Sequence, residues 1–141
     1  MFVCLGKILK VAADKKLTEV KATAGKGRFR IAAEAKFIGE DIIISIWGGT
    51  KPHIGSIVVS VPRPSLKNSQ SISVISSAFN FIGHKDEIVA RMFSEKIAAT
   101  LNRNTVTTAG IHVDNLTEID IKKILKNAET LCSILIKKWR G

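Results

Sequence analysis

The hydrophobic pattern of this chain changes period once, at Gly83-His84-Lys85-Asp86, and that change decides the fold class. Before it, apolar residues alternate. Phe29–Phe37 runs at period two, and Ile38-Gly39-Glu40-Asp41 turns the chain into Ile42–Trp47, which predicts a β-hairpin. Ile54–Val61 reads as a third strand with Ile57, Val59 and Val61 on one face. Pro62 and Pro64 are expected to end it, because proline cannot donate to a ladder. A polar loop over 65–71 leads to a fourth strand, Ile72–Phe81. After the switch, Val89, Phe93, Ile97 and Leu101, with Ile88 and Met92 beside them, recur at helical spacing. Glu87, Arg91 and Glu95 form a charge ladder on the opposite side. Asp86 is expected to serve as an anion at the start of this helix. A fifth strand, Thr105–His112, follows. Thr117 with Asp120 three residues on has the form of a capping box, before a second helix marked by Ile121, Leu125, Ala128, Cys132 and Leu135. Trp139 reads as an anchor packing the tail on the fold.

The order ββββαβα predicts an α+β fold, a mostly antiparallel β-sheet with two helices packed on one face. A chain of 141 residues suits one domain. Residues 26–141 are read as that domain, and residues 1–25 as a basic N-terminal arm, partly ordered, with a partial helix followed by a short strand. Two helices cover only one face of such a sheet. A second subunit would cover the other, so a homodimer is expected.

The net charge of +10 invites a polyanion as partner. Its distribution argues otherwise: residues 1–30 hold +6 of it, residues 31–84 only +1 and residues 85–141 +3. The absence of Tyr and the scatter of six Phe also weigh against a stacking platform for single-stranded nucleic acid. No run approaches the roughly 18 apolar residues of a membrane span. Cys4 and Cys132 lie far apart without metal-ligand spacing, which fits neither a disulfide framework nor a structural zinc site. A soluble, cytoplasmic protein is expected, with neither nucleic acid nor membrane as partner.

The candidate functional residues gather at glycine-containing turns. His53 follows Gly48-Gly49-Thr50-Lys51-Pro52, His84 lies in Gly83-His84-Lys85-Asp86, and His112 in Gly110-Ile111-His112-Val113-Asp114-Asn115. Side chains at strand ends on a rigid sheet are often functional. If these ends converge, three imidazoles meet Lys85, Asp86, Asp114 and Asn115. Three readings remain open: a metal held by His53, His84 and His112; an anionic ligand met by glycine N–H groups, a helix start and Lys51, Arg63 or Lys85; or turns that bind nothing. GxSxG, Walker A and GxGxxG signatures are missing, so hydrolase, kinase and dinucleotide-fold readings have no motif support. Trp47, beside Gly48-Gly49, has the shape to stack on a flat ligand.

Four blocks in order, Gly48-Gly49-Thr50 with Pro52-His53-Ile54-Gly55, then Val61-Pro62-Arg63-Pro64-Ser65-Leu66, then Gly83-His84-Lys85-Asp86, then Ala109-Gly110-Ile111-His112-Val113-Asp114-Asn115, resemble the LpdD-like family. That family takes its name from the small D subunit of gallate decarboxylase systems, and the resemblance spans about residues 26–137. It implies an accessory protein and not an enzyme: a prenylated flavin chaperone that binds prenylated FMN and helps its maturation or delivery to a UbiD-type aromatic acid decarboxylase, its partner. The cofactor-binding candidates it implies are Gly49, His53, Arg63, His84, Lys85, Asp86, His112, Asp114 and Asn115. Arg63 and Lys85 are assigned to the phosphate, the three histidines to the ring edge or a metal, and Asp114 and Asn115 to ribityl hydroxyls or to orienting His112. A metal-binding enzyme on the three histidines, or a scaffold without ligand, is the alternative.

Overall fold

The computed structural model describes residues 18–83 and 86–141. Six strands, β1 (Glu19–Ala24), β2 (Ile31–Ile38), β3 (Asp41–Gly49), β4 (Ser56–Pro64), β5 (Ile72–Asn80) and β6 (Thr105–His112), combine with two helices, α1 (Glu87–Leu101) and α2 (Glu118–Arg140). The strands form one sheet in the order β1-β2-β3-β6-β4-β5. All neighbours are antiparallel except β3 and β6, which run parallel. The fold is therefore the expected α+β arrangement in ββββαβα order, with β1 added in front, paired with β2 and carrying Val20 and Ala24 into the core.

Strand alternation explains the layers. Ile31, Ala33 and Ala35 of β2, Ile42, Ile44 and Ile46 of β3, Val58 of β4 and Ala109 of β6 point to one face. There they pack on Phe93 and Ile97 of α1 and on Leu131 and Leu135 of α2, so both helices cover the same side. α1 lies over β4, β5 and β6, and α2 over β1 and β2. Small residues on β4 and β6 let α1 approach closely: the buried Ser94 hydroxyl donates to the carbonyls of Val58 and Thr105, at 3.3 and 3.2 Å.

The termini of the helices follow their sequence signals unequally. At α2 the capping box forms, with Asp120 N–H donating to Thr117 Oγ1 and Thr117 N–H donating to Asp120 Oδ2, each at 3.2 Å. Trp139 is buried and meets Phe37 at 5.3 Å between ring centroids. Burial pushes the Cys132 thiol up to about 11; Cys4 lies outside the described residues.

One expectation fails for a clear reason. Pro62 and Pro64 do not end β4, which runs through both. The bonds of Ser65 N–H to Ser71 and of Phe81 N–H to Gly55 show that the odd-numbered residues of β4 bond to β5. Both prolines face the β6 side, where pairing has already stopped at Ser60 and Thr105. No ladder bond is lost there.

The second sheet face divides in two. Over β1 and β2 it is charged, with Lys21 held 3.2 Å from Glu19 and 3.4 Å from Glu34. Over β3, β6, β4 and β5 it is largely apolar, carrying Ile43, Ile57, Val59, Val61, Ile75 and Phe79 with Ser45, Thr108 and Ser77 among them; Phe79 is 64% exposed and Ile75 58%. No described helix is long and apolar enough to cross a membrane.

Candidate ligand site

The carboxyl ends of the parallel pair β3 and β6 lie side by side, with Gly49 opposite His112. The start of α1 reaches the same place, and α2 departs from it. Gly49 adopts φ +77°, and a Cβ there would overlap the His112 carbonyl. That freedom lets the chain turn tightly: the His112 carbonyl accepts from Thr50 N–H at 2.7 Å and from Lys51 N–H at 3.4 Å. The segment then folds across β6 at Gly110, whose missing side chain makes room, since a Cβ there would overlap the His53 carbonyl.

This crossing brings His53 to His112, ring centroids 6.4 Å apart and edge-on. Each ring has a carboxylate partner. His53 Nε2 lies 3.2 Å from Asp86 Oδ2, and its Nδ1 lies 3.0 Å from the Lys51 carbonyl. A histidine donates to two acceptors at once only with both nitrogens protonated. His112 Nε2 lies 2.9 Å from Asp114 Oδ1, and Lys51 Nζ lies 3.3 Å from Asp114 Oδ2. The hydrogen bond from His112, and then that from Lys51, hold the Asp114 carboxyl below its usual range.

Asp86 departs from the role of a helix cap. It occupies the N-cap position of α1, yet its side chain bonds none of that helix's N–H groups. Its Oδ1 accepts instead from Ile111 N–H at 2.8 Å, beyond the last residue of β6 paired with β4. The carboxylate thus finishes the strand edge with one oxygen and holds His53 with the other, while only 8% exposed.

Five of the sequence candidates, Gly49, His53, Asp86, His112 and Asp114, meet here. Asn115 follows directly, in the left-handed region at φ 57°. Arg63 does not join them. It lies at the other end of β4, past the Ser60–Thr105 pair, and its guanidinium donates to the Pro64 carbonyl at 3.2 Å. His84 and Lys85 lie outside the described residues. Among the described residues no group of three or more His, Cys, Asp or Glu is arranged to hold a metal ion. Sequence reasoning missed Gly110 as the crossing point. It also missed Arg28, which donates to the Asp114 carbonyl at 3.3 Å and to Asp120 Oδ2 at 3.2 Å. These partners are 86 and 92 residues away, a distance no local signal reports.

Two concavities border the cluster. One, of about 880 Å³, runs along β1 and β2 past Thr23, Arg30, Ala32, Trp47 and Pro52. The other, of about 440 Å³, opens between the first turns of α1 and α2, with Asp86 and His112 in its wall.

Residues 25–140 match the prenylated flavin chaperone LpdD-like domain. The chain belongs to that family. It is 29% identical over 99 residues to Protein LpdD of Lactiplantibacillus plantarum, covering 70% of this chain and 69% of that protein. A chain from the crystal structure of a chaperone complex for yeast 20S proteasome assembly superposes with a TM-score of 0.54. At 11% identity, over 87% of this chain and 99% of that one, the likeness shows a shared fold. The family description is that of a chaperone, an accessory role. Of the four sequence blocks that carry the LpdD-like resemblance, the first and the last build the turns around Gly49, His53 and His112, the third ends at Asp86, and the Arg63 block lies at the far end of the sheet.

Proposed function

We propose that this protein is a non-catalytic chaperone that binds prenylated FMN and assists its maturation or delivery to a UbiD-type aromatic acid decarboxylase. The observation that carries this reading is the convergence of His53, Asp86, His112, Asp114 and Lys51 at one end of the sheet, in a member of the prenylated flavin chaperone family. The donor set suits a flavin phosphate ester. Imidazoles and a lysine meet anionic oxygens and carbonyls, carboxylates accept from hydroxyls, and the concavities beside them have room for rings. Lys51 replaces Arg63 in the proposed phosphate contact, Lys85, next to Asp86 in sequence, keeps its proposed one, and Asp114 and Asn115 are kept for ribityl hydroxyls. The flavin is cargo here, and the residues bind and shield it.

Co-elution of the protein with reduced prenylated FMN on size exclusion tests the reading. Stoichiometric binding by wild type and loss in His53→Ala with His112→Ala is the expected result. Absence of wild-type binding, or full binding by the double variant, rejects it. Transfer is tested by adding the loaded protein to an apo-decarboxylase and following the appearance of activity.

The apolar half of the open sheet face supports a homodimer, because a large exposed apolar patch marks an interaction site and a two-fold interface pairs one patch with the same patch on a second copy. Light scattering should then report twice the chain mass, and Val59→Lys should return it to the monomer.

A further inference from the structure

We propose that the 440 Å³ cleft between the first turns of α1 and α2 receives the isoprenoid-derived carbons of a prenylated flavin, so that it distinguishes the prenylated cofactor from its unprenylated parent; this rests on the flavin reading above. The cleft is lined by Val89, Ile111, Leu116, Ile121, Ile124 and Leu125, and its polar wall is Asp86 and His112. Those last two residues belong to the cluster that meets the polar part of the ligand. One continuous site therefore presents polar groups on one side and hydrocarbon on the other.

The helix patterns explain why hydrocarbon is exposed there. Along α2 the apolar stripe is buried at Ile124, Ala128, Leu131 and Leu135, yet Ile121, one turn earlier, is 46% exposed. Along α1, Val89, Phe93 and Ile97 are buried, yet Ile88 at its start is 65% exposed. Leu116, just before α2, is 36% exposed. Both stripes outrun the sheet, which stops at His112, so their first turns border a space that the core does not fill. Ordinary amphipathic helices need no such surplus, and water there is displaced favourably by an apolar group. The volume lies in the range of small-molecule pockets, about 300–1,000 Å³. The 880 Å³ cleft suits this group less, since Lys21, Arg30, Glu34 and Lys138 line it.

The experiment compares affinities for reduced prenylated FMN and reduced FMN in wild type, Leu116→Asn, Ile121→Asn and Ile119→Asn. Ile119 is 66% exposed on the same turn and does not line the cleft. A single methylene in an apolar pocket is discriminated by about 10–200-fold, so wild type should prefer the prenylated form by at least about tenfold. The two cleft variants should lower that ratio by about tenfold with FMN affinity kept, and Ile119→Asn should leave it unchanged. A ratio unchanged in both cleft variants, or equal loss of the two flavins, overturns the proposal. Isoleucine methyl resonances are followed separately during titration with dimethylallyl phosphate. Shifts at Ile111, Ile121 and Ile124 with none at Ile43 or Ile57 support the cleft as receptor. Silence at the first three overturns it even where the flavin binds, whereas shifts without any binding of prenylated FMN overturn the flavin reading, and with it the assignment of a flavin's prenyl carbons, and leave a cleft for a free isoprenoid phosphate.

Discussion

Each helix begins at a buried aspartate, and the two are put to different use. Asp120, 7% exposed, serves its own helix: it closes the capping box with Thr117 and receives Arg28. Asp86, 8% exposed, ignores its helix and reaches across to Ile111 N–H and His53. At the start of α2 the aspartate's own bonds stay with its cap and with Arg28, although that turn also borders the 440 Å³ cleft. The start of α1 is fastened to the end of β6 and to the residues proposed to meet a ligand. A perturbation at Asp86 should appear in both stability and binding, and one at Asp120 chiefly in stability.

The harshest way to break this contrast leaves both aspartates intact. Gly110→Val places a side chain where the His53 carbonyl passes, so segment 50–55 must lift away from Asp86. Overpacking of this kind costs about 1–3 kcal/mol or more; urea unfolding should show that loss, together with abolished flavin binding. Wild-type stability in this variant would contradict the crossing at Gly110.

Asp86→Ala comes next, since it strands the Ile111 N–H in a partly buried place, at a cost of about 1–3 kcal/mol. Flavin affinity should fall with it. Asp86→Asn, which keeps an acceptor for Ile111, should recover stability more fully than affinity. Equal recovery of the two would mean that Asp86 is only structural.

Thr117→Ala sharpens the other side of the comparison. Loss of a threonine N-cap costs about 1 kcal/mol, and thermal unfolding should register it while flavin affinity falls less than in Asp86→Ala.

The smallest effect is one of pH. The Asp120 carboxyl is held below its ordinary value of 3.8, first by the Thr117 backbone N–H, with the Thr117 hydroxyl, Arg28 and Lys123 adding to it. A carboxylate depressed in the folded state binds fewer protons there than in the unfolded chain. Its contribution is complete above pH 3.8 and is lost as the pH falls through the lower folded value. Asp120→Asn should remove that part of the acid dependence, visible as a flatter stability curve at the acid end than in wild type.

Much of this architecture was legible because periodicity is local. The strand from Ile42, the helix from Glu87 and the Thr117–Asp120 box each carry their signal within a few residues. The insertion of β6 between β3 and β4 was not legible, since alternation states which face a residue takes and not which strand lies beside it. The same ignorance misplaced Arg63. It stands seven strand steps from Ser56, about 23 Å at roughly 3.3 Å per residue, and β4 runs antiparallel to β6, so it is carried away from the histidines. His53 and His112 were recognisable together because glycine turns flank both. That Asp86 would turn toward them was not, because an aspartate before a helix reads the same whichever way its carboxylate points.

The position of β6 also orders events in time. The strand that joins β3 to β4 is the last of the six to leave the ribosome, so the two hairpins β2–β3 and β4–β5 can form early but have no shared ladder until residues 105–112 arrive. Sheet closure is then a late step that spans distant parts of the chain, and contacts of that kind slow folding and leave strand edges open meanwhile. The pairing of His53 with Asp86 and His112 is completed in the same step, so a nascent chain acquires its candidate ligand site only when its core closes.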